Sequence, residues 1–160
     1  MMKPQSIAWI LWILALFLNT GSVRAATYGG PTGASYSVSP SGSDTNPCSA
    51  ANPCREIRRA LTLVHPGDIV HVTDGLYLGF TAQGIIGSAV SPVTIQAPGT
   101  NAYIRATTDR PDNRDNILIT FCQYMVIDGL NSTNAPCAGL RIDSSPNIIV
   151  RNGHFVSNTT

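Results

Sequence analysis

The sequence predicts an all-β fold, a solenoid of stacked coils that opens with one amphipathic helix. Short apolar runs recur at a nearly constant distance, since 24 positions separate Ile69 from Val93 and 23 separate Met125 from Ile148. This spacing is typical of a solenoid, in which each coil packs only against its neighbours. After Asp68 the chain shows only short β-branched runs between clusters of turn residues. That pattern favours strands over further helices.

Residues 1–25 have the organisation of a secretory signal peptide. Lys3 supplies a positive charge, an apolar core runs from Ile7 to Leu18, and Val23-Arg24-Ala25 forms a small-x-small cleavage site. A membrane anchor is the alternative, but the strongly apolar part is short for a bilayer span. We therefore expect a secreted protein, extracellular or periplasmic, with no membrane contact after cleavage.

The charge of the mature chain argues against a nucleic-acid partner. Beyond residue 25 the sequence has eight arginines, no lysine and nine acidic side chains. A net charge of −1 provides no basic field that would attract a polyanion. Few charges and many Gly, Pro, Ser, Thr and Asn residues are typical of a secreted β protein with many turns.

The four cysteines predict two disulfides, because export leads to an oxidising compartment. Four cysteines allow three pairings. Cys48 and Cys54 enclose only five residues, one of them proline, so we expect them to pair with each other and Cys122 to pair with Cys137. A zinc site is the alternative, but these spacings lack the paired short knuckles of such sites.

The elements follow in chain order. Residues 26–35 predict a flexible leader, and Tyr36-Ser37-Val38 a first short strand. A single helix is predicted from Arg55 to Val64, because its apolar residues recur with helical spacing until His65-Pro66-Gly67 ends it. We expect this helix to cap the first coil, whose interior and strand edges would otherwise meet water. The apolar face consists of Ile57, Ala60, Leu61 and Val64.

Each coil is predicted to contain at least two strands. The run Ile117–Thr120 recurs 23 positions later as Leu140–Asp143, and alternation places Arg141 and Asp143 on the outer surface. Gly129 and Asn152 are also 23 positions apart. Because both residue types tolerate a left-handed backbone, they predict a sharp corner in successive coils. The residues predicted to point inward are Met125, Ile127, Ile148 and Val150.

Several segments carry a resemblance to a known family. They are YSVSPSGSD at 36–44, PCREIRRAL at 53–61, PGDIV at 66–70, DGLY at 74–77, and the coil motifs VIDGL at 126–130 and IVRNG at 149–153. Together they resemble the amino-terminal part of secreted right-handed parallel β-helix proteins of the pectate-lyase-like superfamily, including its parallel β-helix repeats. The resemblance implies that residues 36–160 form the N-terminal cap and first coils of such a helix, in an incomplete form.

The same resemblance implies a groove for an extracellular polysaccharide, and in the lyases a calcium ion bound by acidic groups. A lyase removes a proton next to a uronic carboxyl group and therefore needs a base and a cation. Family lyases use lysine or arginine as the base; the mature chain has no lysine, so Arg141, with Asp143 beside it, is the catalytic candidate. A solvated surface arginine is the alternative interpretation.

The candidate calcium ligands are Asp109, Asp112 and Asp115, which lie close together in one loop. Carboxylate oxygens suit calcium. Two interleaved arginines oppose cation binding there, and the loop lacks the glycine and spacing of an EF-hand. No other cofactor is predicted, and no complete catalytic site is visible in the sequence.

The last residues, Phe155 to Thr160, read as the start of another strand without a closing cap. An uncapped end is expected to self-associate or to continue into further coils. Two functional hypotheses follow. One is a polysaccharide-directed secreted protein, which binds the polymer or processes it as a lyase if the full chain is longer. The alternative is a non-catalytic structural or adhesin-like surface β-helix.

Overall fold

A computed structural model describes residues 33–105 and 115–156, which form a parallel β-helix. Residues 1–25 and the leader up to residue 32 lie outside the described residues. One helix, α1 (Ile57–Leu61), lies between the first two strands. The strands are β1 (Ser35–Val38), β2 (Ile69–Val72), β3 (Gly75–Leu78), β4 (Phe80–Gln83), β5 (Val93–Gln96), β6 (Ala102–Arg105), β7 (Ile117–Thr120), β8 (Met125–Asp128), β9 (Asn131–Thr133), β10 (Leu140–Asp143), β11 (Ile148–Arg151) and β12 (Phe155–Val156).

The strands form three parallel sheets. Sheet 1 has the order β1-β2-β5-β8-β11, sheet 2 has β3-β6-β9-β12, and sheet 3 has β4-β7-β10. Every pairing within them is parallel. A complete coil therefore contributes one strand to each sheet. The predicted solenoid is confirmed, with three strands in a coil.

The core lies inside the stack and is built from alternate residues of each strand. Met125 and Ile127 are fully buried, and Ile148 and Val150 pack against the same core while staying partly exposed. All four point inward, as predicted. In the first repeat the register differs by one residue, because Ile69 pairs with Thr94 rather than with Val93.

Helix α1 is shorter than the predicted Arg55–Val64. Before it begins, Asp44 Oδ1 accepts the amide N–H groups of Arg55 at 3.0 Å and Glu56 at 2.9 Å. At its end the Thr62 hydroxyl donates to the Arg59 carbonyl at 2.7 Å. Side chains of this kind compete with helical hydrogen bonds and stop the helix one turn early. The buried face, Ile57, Ala60 and Leu61, is the predicted one.

The predicted disulfide between Cys48 and Cys54 is confirmed. The segment that it closes pairs with the outer edge of β1. The Ser37 amide donates to the Cys48 carbonyl at 2.7 Å, and the Cys54 amide donates to the Ser37 carbonyl at 3.0 Å. The first strand of sheet 1 is therefore not an open edge.

The predicted pairing of Cys122 with Cys137 is wrong, because both cysteines are free. Cys122 follows β7, whereas Cys137 precedes β10, the strand that pairs with β7 in register. A four-residue strand is about 13 Å long, and a disulfide needs Cα atoms within about 7 Å. The two predicted disulfides would have left no free thiol, whereas the structure has two.

The predicted flexible leader, residues 26–35, extends too far. The Gly33 amide donates to the Gly67 carbonyl at 2.8 Å, and the Ala34 amide donates to Asp68 Oδ1 at 2.7 Å. Ser35 already belongs to β1. Buried Asp68 thus attaches this segment to the first full coil. Within residues 33–105 and 115–156 no helix is long and apolar enough to cross a membrane.

Candidate functional site

Arg141 and Asp143 lie on the outer surface of sheet 3, as the sequence predicts. Arg141 forms an ion pair with Asp115, since its Nε lies 3.1 Å from Asp115 Oδ2. Asp115 is buried, and its Oδ1 accepts the Ala138 amide N–H at 3.1 Å. Asp143 accepts the Ser144 hydroxyl at 3.1 Å. One side of the Arg141 guanidinium is therefore held by a fixed carboxylate, while the side chain remains more than half exposed.

The calcium candidates are only partly placed. Asp109 and Asp112 lie outside the described residues, and Asp115 is occupied by Arg141 and the Ala138 amide. Across the described parts of the chain, no group of three or more His, Cys, Asp or Glu side chains is arranged to hold a metal ion.

A cleft of about 770 Å³ lies along the corner where sheet 1 passes into sheet 2. Three successive coils contribute to it. Its walls are the carboxyl ends of sheet 1 strands, the corner turns, and outward residues of sheet 2. The lining residues are Gln96, Ala97, Pro98, Gly99, Thr100, Asn101, Tyr103, Asp128, Gly129, Asn131, Asn152, His154 and Val156.

The corner itself is made by residues in the left-handed region. Gly129 has φ +83° and Asn152 has φ +55°, which confirms the sharp corner predicted from their equivalence. A side chain at Gly129 would collide with the Ala97 carbonyl oxygen of the preceding coil. Because glycine has no Cβ, the coils can approach closely here. The tight corner brings the polar ends of the two sheets next to each other.

The charge of Asp128 in the cleft is compensated. Its Oδ2 accepts Arg151 Nε at 3.0 Å and Nη2 at 2.9 Å, and its Oδ1 accepts Asn152 Nδ2 at 2.7 Å. Two guanidinium nitrogens of Arg151 thus converge on one carboxylate oxygen in a charge-assisted contact. The wall of the cleft is therefore fixed by side chains of two coils.

The floor of the cleft is rigid for a similar reason. Asn131 is buried, donates from Nδ2 to the Thr100 carbonyl at 2.9 Å, and accepts the His154 amide N–H at Oδ1 at 3.0 Å. It therefore links three coils at one level. Tyr103 stands beside it in the register of sheet 2 and adds an aromatic side chain to the wall.

Sequence reasoning finds the corner but not the cleft. Gly129 and Asn152 reveal the turn through their equivalent positions, whereas Tyr103 and Asn131 belong to sheet 2 and His154 lies directly before β12. Strand β9 reads Asn-Ser-Thr, which lacks the apolar alternation that marks a strand. A usable signal exists for two of them, because Asn131 and His154 each follow a predicted corner residue, Gly129 and Asn152, by two positions.

No protein-family profile matches the sequence, and no curated protein matches it. Solved structures with a similar fold include a rhamnogalacturonan lyase (TM-score 0.54, 16% identity, 76% of this chain and 36% of that chain). Pectate lyase Pel9A is also similar (TM-score 0.53, 20% identity, 79% and 38%). A third is the GH136 lacto-N-biosidase from Eubacterium ramulus (TM-score 0.52, 21% identity, 64% and 20%).

These similarities establish the fold. The chain has the parallel β-helix architecture found in the rhamnogalacturonan lyase and the pectate lyase, as the motif resemblance implies. It spans less than two fifths of the length of each of the three structures. Fold similarity at this level of identity leaves activity to be argued from the site.

Proposed function

We propose that this is a secreted, polysaccharide-directed β-helix protein that binds a glycan chain in the cleft between sheets 1 and 2. The observation that carries the proposal is the cleft itself, in which three successive coils present amide, imidazole, carboxylate and phenol groups. The names of two structural neighbours, a rhamnogalacturonan lyase and a pectate lyase, refer to polysaccharides and support this ligand class.

The chemistry of the cleft suits a sugar polymer. Sugar hydroxyls both donate and accept hydrogen bonds, and Asn, Gln, His and Tyr side chains supply both functions. An aromatic side chain such as Tyr103 can also pack against the apolar face of a sugar ring. Because the coils repeat every 4.7–4.9 Å or so along the axis, the polar groups form a row. A row of this kind matches an extended chain better than a compact ligand.

Lyase-like processing is the finer part of the proposal, and it places the reaction on the outer face of sheet 3, outside the cleft. Arg141 remains the candidate base, with Asp143 in the next outward position of β10. Calcium at Asp109, Asp112 and Asp115 would neutralise a uronic carboxylate. The ion pair with Asp115 holds the Arg141 guanidinium in place, and a calcium ion that takes Asp115 as a ligand would have to displace it. Both assignments remain proposals, and the active site of a longer chain would extend over further coils.

Secretion and the capping role of α1 belong to the same proposal. The signal-peptide composition of residues 1–25 and the disulfide between Cys48 and Cys54 support export. Helix α1 packs against β4, the first strand of sheet 3, and against β1 and β2. This position supports a cap over the first coil. Right-handed winding is the expected hand for parallel crossovers.

The test is glycan binding by the purified, exported protein. Oligosaccharides of polygalacturonate, rhamnogalacturonan and a neutral β-glucan are titrated calorimetrically, and absorbance monitors unsaturated products. We expect binding of at least one of them, weakened about tenfold by Tyr103→Ala through loss of an aromatic contact. Leu78→Ala, an exposed apolar residue outside the cleft, is the matched control.

Two outcomes separate the hypotheses. Unsaturated product that disappears with Arg141→Ala would establish the lyase. Absence of binding and turnover on the whole panel would replace this proposal with the structural or adhesin-like surface protein. An intact mass that still includes residues 1–25 in the exported protein would overturn the signal peptide.

A further inference from the structure

An exposed aromatic residue occupies a strained position at the corner between sheet 3 and sheet 1. Phe121 directly follows β7, has φ +52°, and is 61% exposed. A left-handed backbone is unfavourable for a bulky residue because its Cβ crowds the following carbonyl. Because most of the ring stays in water, its burial offsets little of this cost. Strain of this kind concentrates at functional positions.

The fold requires a left-handed residue at this corner but does not require an aromatic one. Gly84 follows β4 with φ +68°, and Ser144 follows β10 with φ +48°. The three residues form a column, since the Gly84 amide donates to the Thr120 carbonyl at 3.1 Å and the Phe121 amide donates to the Asp143 carbonyl at 3.2 Å. Small residues therefore make the same turn in the coils on either side. The phenyl ring contributes little to the turn.

The neighbours of Phe121 are suited to a ligand with one apolar face and a polar rim. On the preceding coil, a Cβ placed on Gly84 would have no atom within 4 Å, so this side is open space. On the following coil, the Ser144 hydroxyl and Asp143 Oδ1 lie 3.1 Å apart and are exposed. An aromatic face beside a carboxylate and a hydroxyl can hold a sugar ring by stacking and by hydrogen bonds to its hydroxyls.

We propose that Phe121 is a stacking platform for a sugar ring, with Asp143 and Ser144 as its polar partners. The inference rests on the proposed glycan-binding function but concerns a separate place. Sheet 1 lies between this corner and the cleft, so a polysaccharide has a second contact on the molecule. The strained left-handed backbone at Phe121 is retained because the ring contacts a sugar, although it does not stabilise the fold.

Phe121→Asn tests the proposal by separating binding from stability. Asparagine accepts a left-handed backbone, so we expect the melting temperature to stay unchanged or to rise by a few degrees. Affinity for the oligosaccharide that the wild type binds should fall about five- to tenfold. Leu78→Asn provides the control for loss of an exposed apolar side chain. It should leave affinity unchanged.

Phe121→Trp supplies a direct signal. The chain contains two tryptophans, Trp9 and Trp12, both within the predicted signal peptide, so the processed variant carries a single tryptophan at the proposed site. Its affinity should match the wild type, and its emission should shift on titration with the oligosaccharide. A sugar that binds at Tyr103 alone would leave that emission unchanged.

The outcomes distinguish this inference from the proposed function. If the wild type binds and Tyr103→Ala weakens binding while Phe121→Asn does not, only the Phe121 platform is overturned. Absence of glycan binding by the wild type overturns both. A fall in melting temperature of more than about 5 °C in Phe121→Asn would make Phe121 a packing residue and remove the argument.

Discussion

The first and last described coils are built from similar strands but differ in how deeply their side chains are buried. At the first end, the segment of the Cys48–Cys54 disulfide pairs with β1, and α1 packs beside it. At the other end, β10, β11 and β12 have no further strand on their outer edges within residues 115–156. Ile119 and Ile142 are paired in register, yet Ile119 is 0% exposed and Ile142 is 43% exposed.

The difference shows that burial in a solenoid is provided by the next coil. Ile119 has strands on both sides, whereas Ile142 has one. In repeat architectures stability is approximately a sum over coils and the interfaces between them. We therefore expect free energies of local opening to decrease from the middle coils towards β10, β11 and β12. Four measurements test this difference between the first and last coils.

The largest effect is expected from a matched pair of truncations. Ile119→Ala should lower the free energy of unfolding by about 3 kcal/mol, because it removes buried methyl groups and leaves a cavity. Ile142→Ala, with the same chemistry in the next coil, should cost about 1 kcal/mol, since water already reaches that side chain. Urea denaturation followed by circular dichroism measures both. Equal losses would show that β10 is covered in solution and would contradict the expected difference in burial between Ile119 and Ile142.

The disulfide tests the covered end. Replacing Cys48 and Cys54 together by serine should lower the free energy of unfolding by about 2 kcal/mol, as expected for a loop this short in the chain-entropy description. It should also speed amide exchange of β1, whose outer edge pairs with this segment. Reductant should destabilise the wild type and leave the double variant unchanged. A double variant as stable as the wild type would mean that the disulfide does not stabilise the covered end.

The sequence predicts the architecture better than it predicts the contacts between coils. The sequence shows the apolar runs that begin at Met125 and Ile148, because inward residues must be apolar. It also shows the corner at Gly129 and Asn152, because residues with a left-handed backbone must be small. Whether Cys122 can reach Cys137 is not visible in the sequence, since it depends on which corner of the coil each cysteine occupies. The register of Ile69 shifts by one residue because the turns between strands vary in length.

The candidate site illustrates the same limit. Arg141 and Asp143 are placed correctly on the outer face, but the partner of Arg141 is Asp115, which alternation along one strand cannot reveal. Sheet 2 supplies Tyr103 and Asn131 to the cleft, and the residue before β12 supplies His154. Strand β9, which reads Asn-Ser-Thr, carries too few apolar residues for detection. The left-handed backbone of Phe121 is contrary to the preference of its side chain.

A smaller effect is expected from the ion pair at the less buried end. Asp128→Asn removes the charge that Arg151 contacts at 2.9 and 3.0 Å. Because Arg151 is more than half exposed, we expect a loss of about 0.5–1 kcal/mol in the free energy of unfolding. The loss should shrink in 1 M salt, where exposed charges are screened. Asp143→Asn, which removes an exposed carboxylate bonded to the Ser144 hydroxyl, is the control. If the loss on Asp128→Asn exceeds that of the control by the same amount in 1 M salt, the contact stabilises the protein through hydrogen bonds rather than through charge.

The smallest change concerns thiol reactivity, which leaves folding stability unaffected. The covered end holds the disulfide, while Cys122 and Cys137 are free. Unreduced protein in denaturant should therefore bind two equivalents of a thiol reagent. In the native state Cys137, which is partly exposed, should react first. Burial raises the pKa of the Cys122 thiol, so the reactive thiolate forms only at higher pH.

The rates discriminate between two explanations for slow labelling of Cys122. If the raised pKa alone limits the reaction, the rate should increase about tenfold per pH unit below that pKa and stay insensitive to denaturant. If access requires opening of the coil between β7 and β8, low concentrations of urea should accelerate it, and Ile142→Ala should accelerate it further by weakening the neighbouring coil. Cys137 labelling should respond to neither change. Equal native labelling rates for the two thiols would show that burial does not protect Cys122. The coil that holds Cys122 would then be no better covered than the last described coil.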